Sequence, residues 1–289
     1  MKLLSTLHDP GRLEDILALS DGVVLGEARF GTRLTTAFDP SLMTGMCETA
    51  MSLDKDVYIM ANRMLEEQDL DAFSAFVRTF APISSGIIIG DPGAFFIMNT
   101  LGSGHKAVYH PGTLLTNSDD FNMFASDGAM GAFVPAEITL DEIEAIASRK
   151  RYRLYMVGHG HLPLFYSRRM LVSNFLDQTG LDPALAGSKD LSIVEEKRDG
   201  AMPVIQDSHG THVFSADVFR TLPHLDTLRS MVDAMVVDTV FKDDAYALRV
   251  LNLYREGTDE ASEEQIRHDY GETWDDGLLF KGTSDRRLP

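Results

Sequence analysis

The sequence predicts an α/β fold, a TIM-type (β/α)8 barrel, and three observations favour it. Short apolar runs recur along the 289 residues, and each is followed by a segment with helical spacing of apolar residues. Eight such runs can be counted, which is the number of parallel strands that closes this barrel. The first turn, at residues 8–11, is not the glycine-rich phosphate turn that the competing doubly wound open sheet would usually carry.

The predicted strands are short runs of apolar residues with polar or glycine-containing segments between them. They are residues 2–7, 22–27, 56–62, 86–91, 106–110, 131–134, 153–157 and 234–238. In a barrel the loops after these strands gather at one mouth, where active sites of this fold lie.

Helices are predicted where apolar residues recur at spacings of three and four. The clearest are residues 12–19, 40–53, 70–80, 140–148 and 244–254. Thr139 and Glu142 predict a capping box at the start of the fourth of these. Asp39 before Pro40, and Asp91 before Pro92, predict N-caps followed by first-turn prolines.

A long segment, residues 176–231 or thereabouts, separates the seventh and eighth predicted strands. It is predicted to contain a hairpin, with strands at 191–197 and 202–206 around the turn pair Asp199 and Gly200. A long insert at the catalytic end of a barrel usually forms a lid or a docking surface, so we expect it to cover part of the mouth. We expect residues 1–289 to form a single barrel domain that includes this insert.

Composition narrows the function. With 26 basic and 44 acidic residues the formal charge is −18, which repels phosphate backbones and disfavours an independent nucleic-acid binder. No run approaches the roughly 20 apolar residues of a membrane span, and the amino terminus lacks an export pattern. We therefore expect a soluble, cytoplasmic protein with no membrane partner. The single cysteine, Cys47, cannot close an internal disulfide or hold a cluster.

Histidines near the predicted mouth suggest one possible chemistry. His159 and His161 are two residues apart at the end of the seventh strand, so their side chains could share a face and a metal ion. His110, His209 and His212 could contribute from neighbouring loops. The alternative is that His159 serves the structural frame and the others are ordinary polar loop residues, and this alternative is favoured.

Carboxylates form a second candidate group. Glu27, Asp91, Glu137 and Asp238 end predicted strands or follow them, which directs them to one rim of a barrel. They could act as acid and base, or they could hold Arg169 and nearby loops through charge-assisted hydrogen bonds. The second role is favoured, because no substrate motif is visible.

Residues 154–175, LYMVGHGHLPLFYSRRMLVSNF, resemble the peptidase U32 family, whose members carry a segment like V-H-G-x-L-C-x-x-Y-S-G-R-C-L-L-S-N-Y. Pro163 and Met170 stand where the two cysteines of that segment belong. Because thiolates hold iron–sulfur clusters, we expect no cluster in this chain. The retained positions are His159, Gly160, Leu162, Tyr166, Ser167, Arg169, Leu171, Ser173 and Asn174.

The resemblance extends along most of the chain, through segments that contain Glu27, Asn117, Glu137, Asp207, Asp238 and Lys242. It departs from the family pattern at Gly112, Ala136, Thr239 and Val240, where two arginines and a glutamine are lost. The retained and rim positions together give candidate catalytic residues His159, Arg169, Glu137 and Asp238. The candidate binding residues are Glu27, Asp91, Asn117, Tyr166 and Lys242.

Members of this family are associated with hydroxylation of RNA bases, and others with ubiquinone hydroxylation, commonly with an iron–sulfur cluster and a second family member. The resemblance therefore implies a short accessory subunit of a tRNA uridine hydroxylation pair, with the cluster in a longer paralogue and tRNA reached through the complex. One alternative is a stand-alone hydrolase, peptidase or metalloenzyme that uses His159, His161 and the rim carboxylates. Another is a binding protein for a small anionic metabolite, anchored by Arg169.

Overall fold

A computed structural model of the chain describes residues 1–196, 200–257 and 260–281. Eight parallel strands form a closed barrel, in which β1 to β7 pair in chain order and β11 pairs with both β7 and β1. This confirms the predicted (β/α)8 fold. The strands are β1 Lys2–Thr6, β2 Gly22–Gly26, β3 Asp56–Ala61, β4 Gly86–Ile89, β5 Ala107–Tyr109, β6 Gly131–Phe133, β7 Arg153–Ser167, β8 Ser192–Ile193, β9 Met202–Asp207, β10 Gly210–Arg220, β11 Ala234–Val237 and β12 Trp274–Asp275.

Helices surround the barrel, and the capping signals read from the sequence set their starts. Thr139 Oγ1 accepts from the Glu142 N–H while the Glu142 carboxylate accepts from the Thr139 N–H, which completes the predicted capping box. The helices are α1 Leu13–Leu19, α2 Pro40–Ser52, α3 Leu70–Phe80, α4 Pro92–Thr100, α5 Ser118–Phe121, α6 Leu140–Ala147, α7 Leu171–Thr179, α8 Leu225–Leu228, α9 Asp244–Glu256 and α10 Glu260–Tyr270. None of the helices in the described ranges is both long and apolar enough to cross a bilayer.

Apolar residues fill two layers, because successive strand residues point alternately into and out of the barrel. The larger cluster lies between the strands and the helices. Inside the barrel, the Tyr58 and Tyr155 hydroxyls are 3.1 Å apart. The inner cluster consists of Leu4, Val24, Tyr58, Ile88, Val108, Phe133, Tyr155, Ala234 and Val236.

The seventh strand differs from the prediction, since it continues for ten residues beyond the expected end at 157. Its outer half leaves the barrel and pairs antiparallel with β10, to which β9 and β12 add on. The extended part contains Gly158, Gly160 and Pro163, residue types that usually weaken a strand interior. Gly160 has φ +134°, and a side chain there would meet the Asp238 carbonyl oxygen at 2.2 Å.

The segment between β7 and β11 contains α7, the small sheet β8–β9–β10 and α8. The predicted hairpin strands pair through Ser192 with Pro203 and Ile193 with Met202, so the first strand is shorter than expected. Lys197, the predicted end of that strand, and Asp199 of the predicted turn lie outside the described residues, whereas Gly200 is described with φ +92°.

Candidate functional site at the barrel mouth

A cavity of about 60 Å³ lies at the carboxyl ends of the barrel strands. Six polar residues line it: Thr32, Arg33, Asn62, His110, His161 and Asp238. Apolar side chains complete its walls, among them Met60, Val134, Val157, Leu162 and Phe214. A space of this size holds about four or five water molecules. The cavity therefore suits a small polar ligand or ordered water.

Arg33 lies in the loop after β2 and has φ +58°, in the left-handed region that non-glycine residues rarely adopt. Its backbone N–H donates to Asp207 Oδ2 at 3.3 Å. Burial lowers the pKa of the guanidinium, although the nearby Asp238 and Asp207 carboxylates act in the opposite direction. Within the described part of the chain, this guanidinium makes no hydrogen bond and no ion pair.

Asp238 follows β11 and presents the opposite charge to the cavity. Its Oδ1 accepts from the Val240 N–H at 3.2 Å. Burial raises the pKa of Asp238 to about 6, opposed by this hydrogen bond and by the nearby Arg33 and Lys189 cations. Near neutral pH the carboxyl group is therefore mostly ionised.

His110 and Asn62 contribute neutral polar groups. The His110 ring stacks on Phe133, with centroids 4.2 Å apart and an interplanar angle of 15°. Burial, together with the nearby Arg33 charge, lowers the pKa of His110 to about 3, so the imidazole is neutral at physiological pH. Asn62 Oδ1 accepts from the Thr32 N–H at 2.9 Å. That bond orients the Asn62 side chain, which lines the cavity.

The insert and the outer half of β7 cover the mouth. Leu162, Pro163 and Phe214 form part of the cavity wall. Lys189 Nζ donates to the Leu34, Thr35 and Val240 carbonyls at 3.0, 2.6 and 3.2 Å. These bonds join the insert to the loops after β2 and β11, which limits the size of any ligand in the closed mouth.

His159, a predicted catalytic residue, lies outside this cavity. Its side chain is fully buried between β7 and α9, with Nε2 2.7 Å from Tyr246 Oη and the ring 4.7 Å from the Trp274 ring. Burial lowers the pKa of His159 to about 3. This neutral imidazole packs among aromatic rings as a structural residue, and it does not line the cavity at the mouth.

Glu272 connects the two histidines. Tyr246 Oη and Trp274 Nε1 donate to its Oε2 at 2.8 and 3.1 Å. Lys242 Nζ lies 2.7 Å from its Oε1, and His161 Nε2 lies 3.6 Å from the same oxygen. Burial alone would raise the pKa of Glu272, but the nearby His161 ring, the Lys242 ammonium group and the Trp274 N–H hold it at about 2.

The two histidines approach the Glu272 carboxylate differently. His159 is connected to it through the Tyr246 hydroxyl, whereas the Nε2 atom of His161 faces it directly. The other ring nitrogen of His161, Nδ1, donates to the Ser215 carbonyl at 2.7 Å. Across residues 1–196, 200–257 and 260–281, no group of three or more His, Cys, Asp or Glu side chains is arranged to hold a metal ion. The predicted binding residue Lys242 is one of the side chains that surround Glu272. Nothing in the local sequence pointed to Tyr246 or Glu272, because both are distant from β7 along the chain.

The other predicted rim carboxylates do not converge on the cavity. Asp91 caps α4 through the Gly93 N–H at 2.6 Å and also accepts from the Leu65 N–H at 2.9 Å. Glu27 accepts from the Arg29 N–H at 2.8 Å, and Glu137 accepts from the Thr113 hydroxyl. Of the four, Asp238 alone lines the cavity. The expectation that these carboxylates form one rim set is therefore corrected.

Arg169 also lies away from the cavity. Its side chain is exposed, and its carbonyl accepts from Thr211 Oγ1 at 2.9 Å. Tyr166 stacks on His212 at 4.7 Å, and its hydroxyl donates to the His209 carbonyl. Asn117 caps α5. Arg33 occupies the cavity position that the sequence had suggested for Arg169, and its positive φ gave no recognisable signal in the sequence.

The residues present do not fit a cysteine-ligated cluster of the kind that the family resemblance implies. Cys47 lies in α2, fully buried, and burial raises the pKa of its thiol to about 11. Pro163 lies in the wall of the cavity, and Met170 lies directly before α7. Neither side chain supplies a thiolate.

Comparisons with known proteins agree with this architecture. The model of the family described as Peptidase family U32 matches residues 14–281. The tRNA hydroxylation protein P2 of Bacillus subtilis (strain 168) is 25% identical over 268 residues, which cover 90% of this chain and 87% of that protein. The uncharacterized protease MJ0090 of Methanocaldococcus jannaschii is 23% identical over 250 residues, covering 79% of this chain and 60% of that protein.

A solved structure shows the same fold. The U32 peptidase Mk0906 superimposes with a TM-score of 0.53 at 14% identity, covering 83% of this chain and 92% of that structure. At this level of identity the likeness concerns the barrel and not its chemistry.

Proposed function

This chain belongs to peptidase family U32, and on that basis we propose that it is the short accessory subunit of a tRNA uridine hydroxylation pair. Its similarity to tRNA hydroxylation protein P2 extends over 90% of the chain and supports this role. In the proposed pair, a longer family member carries the iron–sulfur cluster and contributes the surface that binds tRNA. We place the pair in the cytoplasm, where tRNA is modified.

One observation carries the proposal: the barrel and its mouth are retained, but the residues that would hold a cluster are missing. Pro163 and Met170 replace the two cysteines of the family segment, and Cys47 is buried elsewhere. The closed mouth, with its cavity of about 60 Å³, is also small beside the several hundred Å³ of typical ligand pockets. A uridine therefore requires a site outside this cavity.

Charge supports the same division of roles. The formal charge of −18 opposes direct contact with a polyphosphate backbone. A partner with a basic surface would remove that obstacle, because tRNA would then approach the complex from the partner's side.

The hydrolase alternative required His159, His161 and the rim carboxylates to converge around an open pocket. His159 instead lies beneath α9, and three of the four carboxylates bond to nearby backbone or loop groups. Among the residues that the structure describes, the two histidines share no metal site.

The accessory role is tested by purifying the tagged full-length chain from its native host under anaerobic conditions. We expect a longer U32 protein to co-purify, with iron and sulfide present in the complex and absent from the separated chain. Deletion of the gene should remove hydroxylated uridine from tRNA, as measured by mass spectrometry of nucleosides. Wild-type chain and the Cys47→Ala variant should restore the modification equally, because Cys47 is a packing residue in this proposal.

Two results would contradict the accessory role. A cluster assembled in the isolated chain would show that it carries its own cofactor. Unchanged tRNA hydroxylation after deletion would remove the chain from that reaction.

A further inference from the structure

Arg33 and Asp238 place opposite charges on the wall of one cavity without contacting each other. No N–O distance of 4.0 Å or less joins them, although each lies close enough to influence the ionisation of the other. Both residues are only partly exposed, and a charge with little access to water and no direct partner is costly, so the pair favours a charged ligand between its members.

The hydrogen-bonding groups around the cavity suit a ligand with a negative end and a positive end. Arg33 offers several N–H donors, and the Asn62 amide lines the same space, with its Oδ1 already bonded to the Thr32 N–H. Asp238 Oδ1 accepts from Val240, and the carboxylate keeps further acceptor capacity. A guanidinium binds a carboxylate in bidentate geometry, and a carboxylate binds an ammonium group.

We propose that this cavity binds a small zwitterion, an α-amino acid of the size of glycine or alanine, with its carboxylate at Arg33 and its ammonium group at Asp238. The neutral His110 ring, stacked on Phe133, closes one side. Met60, Val134 and Val157 provide an apolar lining that leaves little room for a longer side chain.

The cavity volume sets the upper limit on this ligand. About 60 Å³ corresponds to four or five water positions, roughly the number of non-hydrogen atoms in the smallest amino acids. A wider groove outside the cavity shares Arg33, Gly112, Leu162 and Pro163 with it, and so offers a route of entry.

The loop that carries Arg33 is held in place before any ligand binds. The positive φ of Arg33 is costly for a non-glycine residue and persists only where surrounding contacts fix it. Here those contacts are the bond to Asp207 and the Lys189 bonds to the Leu34 and Thr35 carbonyls. Because the backbone at Arg33 is already fixed, the loop loses little conformational freedom on binding, which favours recognition of a small ligand.

This inference is independent of the hydroxylation role, and isothermal titration calorimetry on the isolated full-length chain at neutral pH tests it. We expect glycine or L-alanine to bind with a dissociation constant below about 1 mM. Acetate and methylammonium, which each carry one of the two charges, should bind at least tenfold more weakly. Asp238→Asn and Arg33→Gly should each weaken amino-acid binding tenfold or more.

The variants are chosen so that misfolding cannot imitate lost binding. Glycine adopts the left-handed conformation without strain, so Arg33→Gly should keep or raise the melting temperature while binding is lost. Arg169→Ala is the matched control, because its exposed side chain lies away from the cavity, and it should bind like the wild type. The inference is overturned if neither amino acid gives saturable heat at millimolar concentration, if acetate binds as tightly as glycine, or if Asp238→Asn leaves affinity unchanged.

Discussion

At the scale of single residues, Glu272 shows how a buried carboxylate becomes a structural centre. Its side chain is 5% exposed, yet it stays ionised because Tyr246, Trp274 and Lys242 bond to its oxygens. Since the Tyr246 proton goes to Glu272, the His159 Nε2–H donates to Tyr246 Oη. The retained His159 of the family segment thus fixes the position of α9 and the chain around Trp274 relative to β7.

Replacing Tyr246 with phenylalanine should lower the free energy of unfolding by about 1–3 kcal/mol. The change removes the hydroxyl that lies between His159 and Glu272 and leaves a buried imidazole N–H without its acceptor. Urea denaturation followed by circular dichroism measures the effect. Tyr270→Phe is the matched control, since the Tyr270 hydroxyl makes a 3.3 Å contact with Asp243 at the surface, and it should cost less than about 0.5 kcal/mol. Equal decreases in the free energy of unfolding for the two variants would show that the buried Tyr246 hydroxyl stabilises the fold no more than an exposed one.

At the scale of elements, the rim position of Asp91 is explained by helix capping. It accepts from the Gly93 N–H at the start of α4 and from the Leu65 N–H of the preceding loop. Asp39 does the same for α2 through the Ser41 N–H, without a bond to a distant loop. In both cases the aspartate before a first-turn proline caps the helix that follows.

Asp91→Ala should destabilise the protein by about 1–2 kcal/mol through loss of the cap, with a further loss from the freed Leu65 N–H. Asp39→Ala should lose the cap alone, so its effect on the free energy of unfolding should be smaller. Chemical denaturation of both variants gives the comparison. If Asp39→Ala is the more destabilising of the two, the bond to Leu65 is not a significant link between the loop and α4.

The extension of β7 belongs to the same scale. Its outer residues are stabilised by pairing with β10, which comes more than forty residues later in the chain. A strand that depends on so distant a partner has no local signature. The sequence therefore predicted the barrel half of β7 correctly and missed the half that closes the mouth.

At the scale of the whole molecule, buried titrating groups predict how stability depends on pH. His110 and His159 have folded pKa values of about 3, below the unfolded value near 6.5, so their contribution is complete above pH 6.5 and is lost as pH falls. Asp238 acts in the opposite sense between about pH 6 and 4, because its folded pKa is raised to about 6. Glu272, at about 2, adds a further loss below about pH 4.5.

As the pH falls from 6 to 4.5, the two histidines lower the stability and Asp238 raises it. The free energy of unfolding should therefore decrease by about 1.4 kcal/mol per pH unit in this interval, and more steeply below pH 4.5. Denaturation with urea at a series of pH values measures this profile. His110→Phe, which keeps an aromatic ring against Phe133, leaves one histidine against Asp238 and should make the profile nearly flat in that interval. Stability that is constant or increases in the wild type as the pH is lowered from 6.5 to 4.5 would contradict the proposed charge states.

The sequence by itself determined the barrel, the positions of its eight strands to within a few residues, its main helix starts and the family. These follow from local patterns, namely apolar periodicity, capping residues and a motif of adjacent residues. Tertiary structure alone decided which polar groups lie near one another: Arg33 and Asp238 on the wall of one cavity at the mouth, and His159, Tyr246 and Glu272 in one chain of hydrogen bonds beneath α9. These groups come from distant parts of the chain and are brought together by loop conformation and packing, which no spacing along the sequence encodes.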